Sequence, residues 1–189
     1  MKKVDMFQIL RISSGWIMGE MQDDSLKHFF DYSYINDFVN DLMLALIYAH
    51  SDLTDDGPNN SFAAHLEPAT DIWELECEND SLHVVIKSYK DFESKKLETV
   101  KEFHFDYFEF LNSFLEAMTC ILKKYGLLGY RESWSYEFPV SLYLKLIDIY
   151  NSSNDMKFHI VSEKDNLGAE AVKTDIQLEM KILESRLKS

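Results

Sequence analysis

At 189 residues, with 46% apolar and 14% aromatic side chains, the chain has the material for one hydrophobic core of ordinary size, which excludes disorder for most of its length. Its formal net charge of −14 excludes ordinary electrostatic attraction to nucleic acid or anionic lipid and favours encounter with basic proteins or cations. The charge is local: fifteen acidic residues and one basic one, Lys27, stand between Glu20 and Asp80, and the other 18 acids and 18 bases cancel.

The opening MKKVDMFQILRISSGW has two lysines, but Gln8, Arg11 and Ser13 interrupt its apolar run, so it does not read as a secretion signal. It reads instead as two strands, within Val4 to Gln22, around a turn at Ser13-Ser14-Gly15. Tyr34 to His50 follows as an amphipathic helix preceded by Ser33. Ile35, Phe38, Val39, Leu42, Ala45, Leu46 and Ala49 recur at helical spacing, with Asn36, Asp37, Asn40 and Asp41 on the other side. The longest apolar run, Leu42 to Ala49, is far short of the roughly 20 residues needed to span a bilayer, so no membrane association is expected.

Ser51 to Ser61 is a loop by composition. Beyond it, a two-residue turn at Asn79-Asp80 predicts a hairpin pairing Cys77 with Leu82, Leu75 with Val84 and Trp73 with Ile86 on one apolar face. The other face then presents Glu74, Glu76 and Glu78 together, with His83 opposite Glu76 and Lys87 farther along. A further strand is expected over Leu97 to Phe105. Asp106 then caps a long helix through Tyr125, with Phe110, Phe114, Ala117, Met118, Ile121 and Leu122 buried and Gly126 as its stop.

Residues Gly129 to Glu137 read as an aromatic loop, with Trp134 and Phe138 assigned to the core, and Pro139 opens a last core helix through Tyr150. From Asn151 the composition becomes nearly neutral: a short strand over Lys157 to Ser162, a polar turn ending at Gly168, and a helix from about Ala169 that docks on the domain. Residues 1–150 therefore form the core domain and 151–189 an extension. Cys77 and Cys120 are too few for a disulfide framework and read as buried, reduced thiols in a cytoplasmic protein.

Catalytic and cofactor motifs are weak. Asp52 to Asn60, which includes Asp55 and Asp56, begins like a calcium loop, but Ala63 stands where a bidentate Glu is needed and Pro58 stiffens the centre. The six histidines show no HExxH, no HxxxH and no nearby cysteine pair, so no metal or other cofactor is expected. His83 beside Glu76 reads as a cross-strand polar pair, and no nucleophile elbow or phosphate-cradling glycine loop occurs.

Asp41-Leu42-Met43-Leu44-Ala45-Leu46, Glu67-Pro68 leading to Trp73-Glu74-Leu75, and Tyr125-Gly126, Gly129-Tyr130, Trp134 and Phe138-Pro139 together resemble a group of small bacterial α/β proteins of the polymorphic or contact-dependent toxin immunity type. The resemblance covers roughly Met6 to Tyr150 and rests on structural rather than catalytic motifs. The chain departs from it at Ala69-Thr70, where a glycine turn is expected, and in its C-terminal extension. The resemblance implies a non-enzymatic immunity protein that neutralises a basic cognate toxin.

The expected fold is α+β: an antiparallel sheet of about five strands with three core helices on one face, plus a C-terminal helix. Asp37, Asp41, Asp55, Asp56, Glu74, Glu76 and Glu78 are the expected partner-binding charges, since an acidic inhibitor finds a basic nuclease quickly and occludes the cleft meant for phosphate. Two alternatives stand beside this reading. One is an enzyme using His83, His104 and nearby carboxylates; the other is an assembly protein that forms a homodimer through its C-terminal helix.

Overall fold

A computed structural model describes residues 5–50, 60–91, 96–152, 161–164 and 170–188. Strands β1 (Phe7–Ser13), β2 (Trp16–Gln22) and β3 (Lys27–Ser33) are followed by helix α1 (Phe38–His50). Strands β4 (Ser61–His65), β5 (Thr70–Glu78), β6 (Ser81–Tyr89) and β7 (Leu97–Asp106) lead into α2 (Tyr107–Trp134) and α3 (Val140–Ser152). The chain closes with β8 (Val161–Lys164), β9 (Glu170–Lys173) and α4 (Ile176–Lys188).

The α+β class is as expected, but the single sheet is not. The strands form an antiparallel three-stranded sheet β1-β2-β3, an antiparallel four-stranded sheet β4-β5-β6-β7 and the separate hairpin β8-β9. Two strands of the two larger sheets were not anticipated. In β3, His28, Phe30 and Tyr32 are buried and Phe29 and Asp31 exposed, the period of two that a half-buried strand requires; β4 is only five residues long.

Gly19 lets the Phe30 ring and the β1 backbone lie close against β2, because a Cβ there would lie 2.4 Å from the Phe30 ring and 2.5 Å from the Gln8 carbonyl. Phe30 thereby reaches the centre of the aromatic core. Its ring stacks on Tyr32 at 5.0 Å between centroids and meets Phe38 of α1 at 5.1 Å, Phe7 of β1 at 5.8 Å and Trp73 of β5 at 6.3 Å. Such pairs add about 0.5–1.5 kcal/mol each beyond area burial.

A buried polar network runs through the same seam between the sheets. The Tyr32 hydroxyl donates to Asp71 Oδ2 at 2.7 Å and accepts from Trp73 Nε1 at 2.8 Å, while His28 Nε2 lies 3.1 Å from the same carboxylate oxygen. The Lys101 ammonium stands 3.4 Å from His28 Nδ1, at the edge of the ring away from Asp71, and donates to the Lys27 carbonyl at 3.2 Å. All four members of the seam are buried. Burial pushes the Asp71 carboxyl up, but hydrogen bonds from His28, Ser88 and Tyr32 outweigh it and hold the group below its usual range.

α1 begins at Phe38 rather than Tyr34, because the Asp37 side chain accepts from the Asn40 N–H at 3.4 Å and starts the helix there. Tyr34 and Ile35 are left exposed, whereas Phe38, Val39, Leu42, Ala45, Leu46 and Ala49 are buried as expected. α2 is capped by Asp106, which accepts from the Glu109 N–H at 2.9 Å, and Gly126 (φ 63°, ψ 177°) breaks it where a stop was expected. The chain does not then become a loop. It resumes as helix through Trp134, and Trp134 and Phe138 are buried.

α2 packs along β1, α1 along β5 and β4, and α3 against both helices. In the extension, β9 occupies part of the segment expected as helix, so α4 starts later, at Ile176. Ile182 and Leu183 pack against the core, and the Arg186 guanidinium lies 5.5 Å from the Tyr150 ring centre. Residues 157–160 and the turn at 165–168 lie outside the described residues. The cysteines correct the expectation of buried thiols: Cys120 is exposed on the outer side of α2, and Cys77 is half-buried, with burial pushing its thiol up. Among the described residues no helix is long and apolar enough to cross a membrane.

Replacing Asp71 by Ala strands the Tyr32 hydroxyl and the His28 N–H in the core, so it should cost about 3 kcal/mol or more; Tyr32→Phe should cost roughly 1–2 kcal/mol. Because the folded-state pKa of Asp71 lies below its unfolded value, its contribution is complete above about pH 4 and is lost as pH falls through the folded value. Urea unfolding between pH 3 and 7 should show this component in the wild type and not in Asp71→Asn. Equal stability of Asp71→Ala and wild type at pH 7 would contradict the role given to the network.

Candidate functional site

The four-stranded sheet has one covered and one open face, and period-two alternation decides which residues reach each. Trp73 and Leu75 on β5, Leu82, Val84 and Ile86 on β6, and Phe103 and Phe105 on β7 point into the core. Their neighbours point the other way. Across β5, β6 and β7 the open face therefore carries three cross-strand rows: Glu78, Ser81 and Asp106; Glu76, His83 and His104; Glu74, Val85 and Glu102. Asn79 and Asp80, with φ of 50° and 63°, form the turn that sets this register.

Glu76, Glu78, Glu102 and His104 are exposed, and Glu74 and His83 half-buried. Lys87 alone among these rows' neighbours brings a positive charge, held by Glu74 at 2.6 and 2.7 Å, which raises the ammonium pKa through that hydrogen bond. The His83 and His104 rings are parallel within 1° and 4.4 Å apart, and His83 Nε2 lies 3.6 Å from Glu102 Oε2. This open face therefore concentrates four glutamates around two imidazoles on a rigid ladder.

Of the nine other described acids of the Glu20 to Asp80 window, five make contacts within the molecule, while Asp24, Asp31, Glu67 and Asp80 are exposed away from these rows' glutamates or at their turn. Asp71 is in the buried seam, and Glu20 is buried beside Lys27 at 2.7 Å. Asp23 Oδ1 accepts from the Ser25 and Leu26 N–H groups at 2.8 Å each in the β2-β3 turn. Asp37 accepts from Trp134 Nε1 at 3.0 Å as well as from Asn40, and Asp41 accepts from Asn36 Nδ2 at 3.0 Å. Asp55 and Asp56 lie outside the described residues.

The structure thus brings Glu74, Glu76 and Glu78 together and separates them from Asp37 and Asp41. Those two sit at the N-terminus of α1, whose Phe38 packs on Trp73 and so covers the opposite face of the sheet. Burial pushes the Asp37 carboxyl up, against the hydrogen bonds from Trp134 and Asn40. Glu102 and His104, absent from the sequence-derived set, join the glutamates through the register of β7 on β6. Their alternation with Phe103 and Phe105 was the available signal; the pairing with His83 was not readable across the connection at 90–96.

No protein-family model, curated protein or solved structure matches the chain significantly.

Asp37 provides a test of the division between structural and available acids. Its folded-state pKa is raised, so the charged form is disfavoured in the fold at neutral pH and that penalty is relieved as pH falls. Asn keeps the accepting oxygen without the charge. Asp37→Asn should therefore match or exceed the wild type in stability at pH 7, whereas Asp37→Ala should lose roughly 1–2 kcal/mol through the missing cap and the unpaired Trp134 N–H. Equal losses in both variants, read by chemical denaturation, would show that the charge itself is needed.

Proposed function

We propose that the chain is a non-enzymatic cytoplasmic binding protein that captures a basic protein on the open face of β5, β6 and β7, acting as an immunity protein against a cognate bacterial toxin. The observation that carries the reading is the placement of Glu74, Glu76, Glu78 and Glu102 on one open sheet face, where the neighbouring lysine, Lys87, is already held by Glu74. Clustered like charges on a rigid scaffold repel one another and gain from a partner that neutralises them. An approaching cationic surface is steered to such a face, and at low salt association accelerates well beyond the rate for neutral surfaces.

The face also suits occlusion. A strand ladder is stiff, so its carboxylates keep fixed spacings and lose little freedom when they replace phosphate in a basic cleft. The sequence resemblance to immunity-type proteins points to the same class of partner. Specificity for one toxin would come from the rows' uncharged members and from shape, since charge alone accepts any basic surface.

The test uses the product of the reading frame next to this chain's, with association followed by stopped-flow fluorescence. Reversal of three charges, Glu74→Lys, Glu76→Lys and Glu78→Lys together, should slow association at least tenfold at low salt and flatten its salt dependence. Asp41→Asn should leave the rate within twofold. An unchanged rate in the triple variant would reject this face as the docking surface, and absence of any complex with the neighbouring gene's product would reject the immunity reading.

A further inference from the structure

On the open face, His83, Glu102 and His104 each offer one ligand atom, and these atoms all lie within 4.8 Å of one another. The three come from two paired strands: His83 and His104 are direct cross-strand partners, and Glu102 is two residues from His104 on the same side of β7. From these groups we infer a binding site for a divalent transition-metal cation of the zinc class. The inference goes beyond the capture of a basic protein and does not rest on it.

The donor chemistry selects the ion. Two imidazoles and one carboxylate match zinc, copper and nickel, whereas magnesium and calcium prefer oxygen donors throughout. The ligand atoms are near enough for zinc once the two imidazoles turn out of their parallel stack, because a metal lies close to the plane of each ring that binds it. In a tetrahedral site with metal–nitrogen bonds near 2.0 Å, neighbouring ligand atoms stand about 3.3 Å apart. Reaching that value requires the side chains to rotate, and there is room for it: the Glu102 side chain is 60% exposed and His104 is exposed too, while the ladder holds the Cα positions.

His83 Nε2 supplies a separate indication. The atom is covered, yet it has no hydrogen-bond partner in the protein. Its nearest carboxylate oxygen, Glu102 Oε2, is 3.6 Å away, beyond hydrogen-bonding distance. A covered ring nitrogen without a partner is costly, and a cation between the imidazole and the carboxylate would satisfy both. Glu76, the register partner of His83 on β5, adds a carboxylate on the other side of the ring, where an acceptor can take the ring's second N–H and orient a metal-bound histidine. The surrounding negative charge raises the local cation concentration.

Such an ion would join edge strand β7 to β6, and binding to the folded state alone would raise the melting temperature. The experiment titrates the tag-free full chain, carrying Cys120→Ser to remove the exposed thiol, with zinc chloride in non-chelating buffer. Isothermal calorimetry, the melting temperature and the histidine ring proton resonances are the readouts. One saturable equivalent of zinc is expected, with the His83 and His104 resonances moving together and no response to magnesium. His83→Gln and His104→Gln should each weaken binding at least tenfold, Glu102→Gln should weaken it less, and Glu78→Gln should leave it unchanged. Circular dichroism without metal establishes that each variant is folded. Absence of saturable zinc binding, binding unaffected by both histidine replacements, or an equal response to magnesium would overturn the assignment.

Discussion

The arrangement of the molecule depends on the buried seam where Tyr32 of β3 and Asp71 of β5 meet. A carboxylate in an apolar interior is tolerated only when its lone pairs are taken up, and here Tyr32, His28 and Ser88 take them. Trp73 adds directionality by donating to the Tyr32 oxygen from the next strand position but one. Hydrophobic contact alone is indifferent to small slips. Hydrogen bonds of 2.7 and 2.8 Å between named atoms are not, so the seam fixes how one sheet sits against the other.

The composition of the open face follows from that registration. Once Trp73 and Leu75 are committed inward, period-two geometry sends Glu74, Glu76 and Glu78 outward, and a one-residue slip would bury all three charges. The aromatic contacts of Phe30 on β3 and Phe38 on α1 with Trp73 reinforce the same choice. The acidic window of the sequence therefore serves two purposes. Asp71, Glu20 and Asp37 stabilise or position internal elements, and the glutamates of β5, joined by Glu102, remain available to a cation or a cationic surface.

The β5-β6 hairpin was legible because two independent signals agreed: Asn79-Asp80 accept positive φ, and apolar residues alternate on both sides of them. Every pair predicted from that turn occurs. The stripe of α2 and its break at Gly126 were legible for similar reasons, since helical spacing and a glycine stop coincide. β3 was missed because its buried positions include His28 and its exposed ones include Phe29, so composition masked the alternation. Asp37 and Asp41 were assigned to a binding surface because an acid in the first turn of a helix looks the same in sequence whether it caps the helix or faces solvent. The histidine and glutamate cluster depends on a register set by tertiary packing, and spacing along the chain does not reveal it.

The central claim is that the outward glutamates of the four-stranded sheet, and not the acidic window as a whole, are available to a positively charged partner. Backbone amide shift mapping during titration with a short lysine- and arginine-rich peptide tests it residue by residue. Saturable shifts confined to Glu74 to Glu78, His83 and Glu102 to His104, with Asp37, Asp41 and Asp71 unmoved, are what the account predicts. The largest shifts at the α1 N-terminus, or shifts spread evenly over all acidic segments, would contradict it.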